Sequence, residues 1–140
     1  MHQILLFAAL AASLALLSGC ALSKAKADTA EDMTGKAAYH KISAEEAYEM
    51  MASQEVVVVD VRTREEYDGG HIENAVLVPN ESIGSEIPEA LPDKEATLLV
   101  YCRSGRRSKD AAQKLLALGY QSVYDFGGVI DWPYELVKEE

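Results

Sequence analysis

One short stretch of this sequence decides the fold, Thr97-Leu98-Leu99-Val100-Tyr101-Cys102-Arg103-Ser104-Gly105-Arg106-Arg107-Ser108. Its first half is apolar and predicts a strand. Residues 109–118 then place apolar side chains on one face of a predicted helix. Cys102 therefore lies between a strand end and a helix start, where exposed N–H groups and the helix dipole favour an anion and lower the pKa of a thiol. The three arginines of the stretch add positive charge at the same place.

Outward from this stretch, four further segments have the apolar patterns of short strands. They are residues 39–42, 56–59, 75–79 and 122–126. The four consecutive valines at 56–59 suit a strand that is buried on both faces of a parallel sheet. Strands that alternate with helices predict such a sheet, covered by helices on both sides. Ligands of these sheets bind beyond the carboxyl ends of the strands, where Cys102 is placed.

Two capping-box patterns mark predicted helix starts. Ser43 opens a helix that runs to about residue 52, and Thr63 opens one or two helical turns. A short irregular helix is expected within residues 83–91, where glycine and proline interrupt the chain. A last helical piece is expected at residues 132–137.

Length and charge limit the class of protein. The chain has 140 residues, enough for one domain, and a net charge of -10. An acidic surface repels phosphates, so nucleic acid is not an expected partner. A small anion remains acceptable, because surface charges are screened over roughly 8 Å at physiological salt.

The first 19 residues are typical of an export signal. An apolar run at residues 4–17 leads to Leu17-Ser18-Gly19-Cys20, which resembles a bacterial lipobox. The resemblance implies that Cys20 is lipidated and anchors an exported lipoprotein in the bacterial cell envelope, on the periplasmic or extracytoplasmic side. The membrane contact would then be the lipid alone. A plain cleaved signal, an uncleaved anchor and a disulfide between Cys20 and Cys102 are the alternatives.

The segment after the signal has almost no large apolar side chains. Residues 20–38 therefore predict a flexible tether, and the folded domain is expected at residues 39–140.

Several short motifs occur in one order along this domain. They are Asp60-Val61-Arg62, Glu66-Tyr67, Gly70-His71-Ile72, the Cys102-to-Ser108 loop, and Gly127-Gly128 followed by Trp132. On these motifs the sequence resembles a single-domain rhodanese, a sulfurtransferase of the thiosulfate-using kind, from about residue 39 to residue 137. The resemblance implies a five-stranded parallel sheet in a three-layer α/β/α sandwich. One departure is Glu73-Asn74, where the family often has Pro-Gly.

The resemblance also implies a chemistry for the loop. Sulfane sulfur would pass from thiosulfate or a persulfide to a thiol or cyanide, through a persulfide on the catalytic Cys102. Backbone N–H groups of residues 103–108 would hold the thiolate and the persulfide anion. Gly105 is the residue best able to take the backbone angle that turns these amides inward.

The side chains of the loop are predicted to contact substrate. Arg103 is the candidate ligand for the sulfonate end of the donor. Arg107 would hold donor oxygens or the loop itself, and Arg106 is either a substrate ligand or a solvated charge. Ser104 and Ser108 offer hydroxyl groups, although Ser108 also suits a helix cap.

Three residues outside the loop are predicted to support it. Asp60 ends a central strand and is expected to brace neighbouring loops, while Arg62 is expected to pair with Glu66, four residues on, or with another carboxylate. Their alternative roles are catalytic acid and substrate ligand. His71 is interpreted as structural, with general-base catalysis as the alternative. No metal or cofactor is predicted, because His40 and His71 have no ligand-spaced Cys or His beside them.

Loop length separates the predicted chemistry from its nearest rival. Four residues lie between Cys102 and Arg107, whereas phosphatases and arsenate reductases of a related fold have five, which suits a larger oxyanion. The shorter loop favours sulfur. A non-catalytic module that binds a persulfide or docks a partner is the alternative of a different class. Expected partners are a small sulfur-containing anion, a thiol or cyanide acceptor, and a redox or sulfur-acceptor protein.

Overall fold

The structure is a computed structural model that describes residues 37–139. The predicted export signal, the lipidation site at Cys20 and nearly all of the tether lie outside these residues. The first strand begins at Ala38, one residue before the predicted start of the domain. Among the described residues, no helix has the length and apolar character that a membrane crossing requires.

Strands and helices alternate along the described chain. The strands are β1 (Ala38–Lys41), β2 (Val57–Asp60), β3 (Val76–Leu77), β4 (Thr97–Cys102) and β5 (Ser122–Gly128). The helices are α1 (Ala44–Ser53), α2 (Arg64–Asp68) and α3 (Arg106–Ala117). All strand pairs are parallel, in the order β1-β5-β4-β2-β3. The predicted five-stranded parallel sheet is confirmed.

The sheet separates two apolar cores, which makes the three-layer sandwich. On one face, Val100 of β4 packs in a cluster with Ala111 and Leu115 of α3. On the other face, Leu99 packs with Ala47 of α1 and with a side chain of α2. Successive residues of β4 thus point to opposite faces, as the period of a strand requires. Both faces of β4 are therefore buried against helices.

Both predicted capping boxes are present. The Ser43 hydroxyl accepts from the N–H of Glu46 at 3.1 Å, and the Glu46 carboxylate accepts from the N–H of Ser43 at 2.7 Å. Thr63 and Glu66 make the same reciprocal pair before α2. These bonds satisfy N–H groups that a helix start leaves without partners.

Two helix predictions are wrong. Residues 83–91 form turns, and the neighbouring helical segment is a short 3₁₀ turn at Asn80–Ser82. Residues 132–137 are not helical either, because Pro133 lacks an N–H group and keeps Trp132 extended. A 3₁₀ turn at Val129–Asp131 precedes this segment. Further along the chain, the backbone of Val137 pairs with that of His71 in an antiparallel bridge.

The sequence departure at Glu73-Asn74 forms a tight turn. Asn74 has a φ of 63°, in the left-handed region that asparagine tolerates better than most residues. Asparagine therefore supplies the turn at this position.

Candidate active site

Cys102 is the last residue of the central strand, and its thiol is 1% exposed. The chain leaves β4, passes through two exposed residues and reaches Gly105, which has a φ of +99°. This angle confirms the prediction for Gly105, and it turns the glycine N–H toward the sulfur, with 3.0 Å between Gly105 N and Cys102 Sγ. Helix α3 begins at Arg106, earlier than the predicted 109, so its N-terminus lies directly beside the thiol.

The loop amides lower the pKa of the Cys102 thiol. Burial by itself raises this pKa, because it disfavours the thiolate. Hydrogen bonds from the Ser108 backbone and hydroxyl, and from the N–H groups of Gly105 and Ser104, outweigh burial, so the pKa lies below its ordinary value. The loop therefore favours the thiolate over the thiol, as its position at a helix start predicts.

Ser108 is a buried part of this loop. Its hydroxyl oxygen lies 3.6 Å from Cys102 Sγ, 3.1 Å from the Gly105 carbonyl and 3.3 Å from the Gly127 carbonyl. The interpretation of Ser108 as a helix cap is wrong, because Gly105 occupies the cap position and Ser108 lies in the first turn of α3. Its hydroxyl can donate to the thiolate or to either carbonyl.

Arg107 holds the loop. Its guanidinium makes two hydrogen bonds of 2.8 Å to the Glu66 carboxylate, which also accepts from the N–H of Thr63. Of the two roles predicted for Arg107, this geometry matches the structural one. The pair ties the first turn of α3 to the start of α2.

Arg103 and Arg106 face an open cavity of about 620 Å³ beside the loop. Its lining residues are Asn80, Glu81, Arg103, Ser104, Arg106, Arg107 and Asp110. Both arginines are exposed, and within the described residues neither forms an ion pair. Their positive charge is therefore available to an anion in this cavity, and the exposed Ser104 is at its edge.

We expect Glu66→Gln to lower the free energy of unfolding by about 1 kcal/mol at neutral pH, since it removes the charge of a bidentate pair. The hydrogen bonds from Arg107 hold the pKa of Glu66 at about 2, against an ordinary value of 4.5. Because the pKa of Glu66 is lower in the folded state, its ionised carboxylate stabilises the fold fully above about pH 4.5. This contribution to the free energy of unfolding is lost as the pH falls toward 2. The variant should therefore lose less stability on acidification than the wild type does.

Urea unfolding followed at a series of pH values measures this difference. Glu65→Gln is the matched control, because Glu65 is the exposed neighbour in the same helix. Identical acid profiles for Glu66→Gln and the wild type would contradict the prediction.

A buried ionic network supports the carboxyl ends of β2 and β4. Arg62 makes a bidentate contact with Asp60, with 2.9 Å between Arg62 Nε and Asp60 Oδ1 and 2.6 Å between Arg62 Nη2 and Asp60 Oδ2. The hydroxyl of Tyr101 donates to Asp60 at 2.7 Å and accepts from the N–H of Ile72 at 3.1 Å. The predicted pairing of Arg62 with Glu66 is wrong, and the other predicted option, another carboxylate, is Asp60.

The geometry of Asp60 and Arg62 matches the bracing role. Arg62 Nη2 also donates to the Gly70 carbonyl at 2.8 Å. Asp60 is fully buried and Arg62 is 5% exposed, so these contacts satisfy both groups inside the domain.

His71 is also engaged in structure. Its Nδ1 lies 2.9 Å from the Tyr67 carbonyl, and its ring stacks on the Tyr67 ring with 3.7 Å between centroids. Its backbone pairs with Val137, which fixes the C-terminal segment. These contacts match the structural interpretation of His71.

Sequence reasoning missed the site contributions of Glu66 and Tyr101, whereas the Ser108 hydroxyl lies in the loop as predicted. Glu66 belongs to a sequence motif and to a capping box, but its ion-pair partner Arg107 lies 41 residues away in the sequence. The described residues contain no group of His, Cys, Asp or Glu side chains that could hold a metal ion.

Fold and site together define a class of protein: a parallel α/β domain with one buried, acidified thiol in a short amide-lined loop beyond the central strand. The chain belongs to the rhodanese-like family, because the Rhodanese-like domain model matches residues 43–133.

Solved structures agree with this assignment. The chain is 35% identical to a rhodanese from E. coli, solved with anions, with a TM-score of 0.55 over 61% of this chain and all of that one. It is 27% identical to a human single-domain sulfurtransferase, with a TM-score of 0.59 over 66% of this chain and 93% of that one. The matched part of this chain thus covers nearly the whole of these two proteins.

Curated relatives are longer proteins. The chain is 34% identical to a tRNA uridine(34) hydroxylase from Hamiltonella defensa over 121 residues, which are 81% of this chain and 34% of that protein. A tRNA uridine(34) hydroxylase from Yersinia pestis is 33% identical over 98 residues, 66% of this chain and 28% of that protein. The chain thus spans about a third of the length of these relatives.

Proposed function

We propose that this protein is a sulfurtransferase that moves sulfane sulfur from thiosulfate or a persulfide to a thiol or cyanide, with Cys102 as the covalent carrier. The observation that carries the proposal is the Cys102 thiol, whose pKa is lowered by the amides of a loop with only four residues before Arg107. Family membership supports it, since a human single-domain relative is itself described as a sulfurtransferase.

In the first step, the Cys102 thiolate attacks the outer sulfur of thiosulfate. A new S–S bond forms, the S–S bond of the donor breaks, and sulfite leaves with the electron pair. The leaving group is an anion, so the free guanidinium groups of Arg103 and Arg106 stabilise it in the cavity beside the loop. The persulfide anion that remains is held by the same amides that stabilise the thiolate.

In the second step, cyanide or a thiolate attacks the terminal sulfur of the persulfide. The acceptor gains that sulfur as thiocyanate or as a new persulfide, and the Cys102 thiolate leaves with the electron pair of the broken S–S bond. Because the loop already stabilises the thiolate, no general base is needed in either step. This agrees with the structural contacts of His71.

The test combines two readouts on the full chain. The protein is incubated with thiosulfate alone, and its intact mass is expected to increase by one sulfur atom, localised to Cys102 by peptide mapping. Addition of cyanide should then release thiocyanate and restore the original mass. Folded protein that shows neither the mass gain nor thiocyanate would overturn the proposal, and phosphate release from a phosphate ester in their place would favour a phosphatase.

We expect Arg103→Gln to raise the KM for thiosulfate about tenfold, because it removes one charge-assisted contact to the sulfonate. Sulfur transfer from a persulfide donor, which has no sulfonate group, should change much less. Steady-state kinetics with the two donors measures the difference. Lys138→Gln, an exposed charge outside the loop, is the matched control. Equal losses with both donors would contradict the assigned role of Arg103.

We also propose a cellular location for this protein and the classes of partner that it meets there. Export and anchoring through a lipidated Cys20 are supported by the Leu17-Ser18-Gly19-Cys20 sequence. Outside the cytoplasm a stored persulfide meets oxidants, so a redox or sulfur-acceptor protein completes the cycle. A tRNA substrate is not proposed, because the match covers a third of the hydroxylase and the net charge of -10 opposes binding to phosphates.

A further inference from the structure

A buried carboxylate lies behind the Cys102 loop and takes no part in either step of the proposed sulfur transfer. Asp125 of β5 is 1% exposed. Its Oδ1 accepts from the N–H of Gly127 at 2.9 Å, and its Oδ2 accepts from the Tyr39 hydroxyl at 2.8 Å. Lys41 Nζ of the edge strand lies 3.4 Å from Oδ1. A backbone N–H group, a hydroxyl and an ammonium group thus surround the Asp125 carboxylate.

Asp125 fixes the point at which β5 turns toward the loop. Pairing between β4 and β5 is regular up to Val100 and Asp125, shifts register there, and resumes with Cys102 opposite Gly128. Gly127, in the shifted segment, has a φ of +89°. The hydrogen bond from its N–H to Asp125 holds this left-handed turn from one side.

The same turn is the surface on which the Cys102 loop packs. The Gly127 carbonyl accepts from the Ser108 hydroxyl at 3.3 Å. A Cβ atom on Gly105 would lie 3.5 Å from Gly127 Cα, and one on Gly128 would overlap the Arg103 carbonyl. With the backbones in contact, a shift of the turn moves the loop and the Ser108 hydroxyl together.

We propose that Asp125 is a positioning residue for sulfur transfer, which acts through Gly127 and Ser108 to keep the loop amides aimed at Cys102 Sγ. The negative charge of Asp125 does not itself favour the thiolate, because an anion near a thiol raises the thiol pKa. The useful property is the hydrogen-bond acceptor that holds Gly127. An amide oxygen at the same position should therefore replace the carboxylate.

The experiment compares Asp125→Ala, which removes the acceptor, with Asp125→Asn, which keeps it. Tyr39→Phe is the control, because it removes the hydrogen bond to the second carboxylate oxygen and leaves the Gly127 contact. The apparent pKa of Cys102 is measured from the rate of alkylation by iodoacetamide against pH, and persulfide formation from thiosulfate is measured in single turnovers.

Asp125→Ala should raise the apparent pKa of Cys102 by about one unit and slow persulfide formation about tenfold, the scale expected for loss of catalytic alignment. Asp125→Asn and Tyr39→Phe should stay within about threefold of the wild type in rate. The alkylation readout needs no sulfur transfer, so it tests positioning even if the proposed function, on which the rate prediction rests, fails.

Two results would overturn the proposal: folded Asp125→Ala with the thiol pKa of the wild type, or Asp125→Asn as impaired as Asp125→Ala. If the alanine variant does not fold, Asp125→Glu decides. It keeps the charge and displaces the acceptor oxygen, so the proposal expects impairment, and a wild-type thiol pKa in that variant would refute it.

Discussion

Cys102→Ser is expected to reduce thiocyanate production at least about 10⁴-fold and to abolish the gain of one sulfur atom from thiosulfate. A serine hydroxyl stays protonated at neutral pH even beside the loop amides, so the nucleophile is lost. The substitution is nearly isosteric, and the site is already polar through the Ser108 hydroxyl at 3.6 Å. The domain should therefore stay folded, as thermal unfolding can show.

The comparison variant for this experiment is Ser108→Ala. It removes the buried hydroxyl beside the sulfur and leaves the nucleophile in place. The rate should fall about tenfold, because one of several hydrogen bonds to the thiolate is lost. Thiocyanate release by Cys102→Ser at more than a hundredth of the wild-type rate would mean that another group carries the sulfur.

Asp60→Ala is expected to lower the free energy of unfolding by about 3–5 kcal/mol, the range for a buried ion pair with one partner removed. The variant leaves the Arg62 guanidinium, which is 5% exposed, as a buried charge without its carboxylate partner. The Tyr101 hydroxyl loses its acceptor at the same time. Urea unfolding at neutral pH measures the change.

Two further variants separate charge from hydrogen bonding in this network. Tyr101→Phe keeps the ion pair and should destabilise by about 1–2 kcal/mol. The double variant Asp60→Ala with Arg62→Met should be less destabilised than Asp60→Ala alone, because it removes the uncompensated charge. The explanation would be wrong if Asp60→Ala were no more destabilising than Tyr101→Phe. That result would show that leaving the Arg62 charge without a partner costs no stability.

Local patterns were sufficient for the elements around the cysteine. A pattern of only a few residues predicts each of three features: the apolar run of β4, the glycine after it and the apolar face of α3. Two capping boxes predict where α1 and α2 begin. The conformation of residues 83–91 could not be predicted from such a local pattern. Ile83 and Leu91 are buried by contacts with the α3 core, and burial of apolar residues in turns has no period of its own.

The ion pairs show why the site was only partly predictable. Pairing of Arg62 with Glu66 assumes that both residues lie in one helix, yet Thr63 is the cap of α2 and Arg62 precedes it. Arg62 is instead free to turn back to Asp60, two residues earlier. The true partner of Glu66 is Arg107, and their meeting depends on how α2 and α3 approach each other in three dimensions.

The two faces of β4 divide the tasks of the molecule. Tyr101 belongs to one apolar core and to the network of Asp60, whereas Cys102, the next residue, belongs to the opposite core beside α3. Substitutions at residues that contact Cys102 should therefore change the reactivity of the thiol, whereas substitutions in the Asp60 network should change mainly the stability of the domain. Two adjacent residues of one strand thus separate chemistry from support.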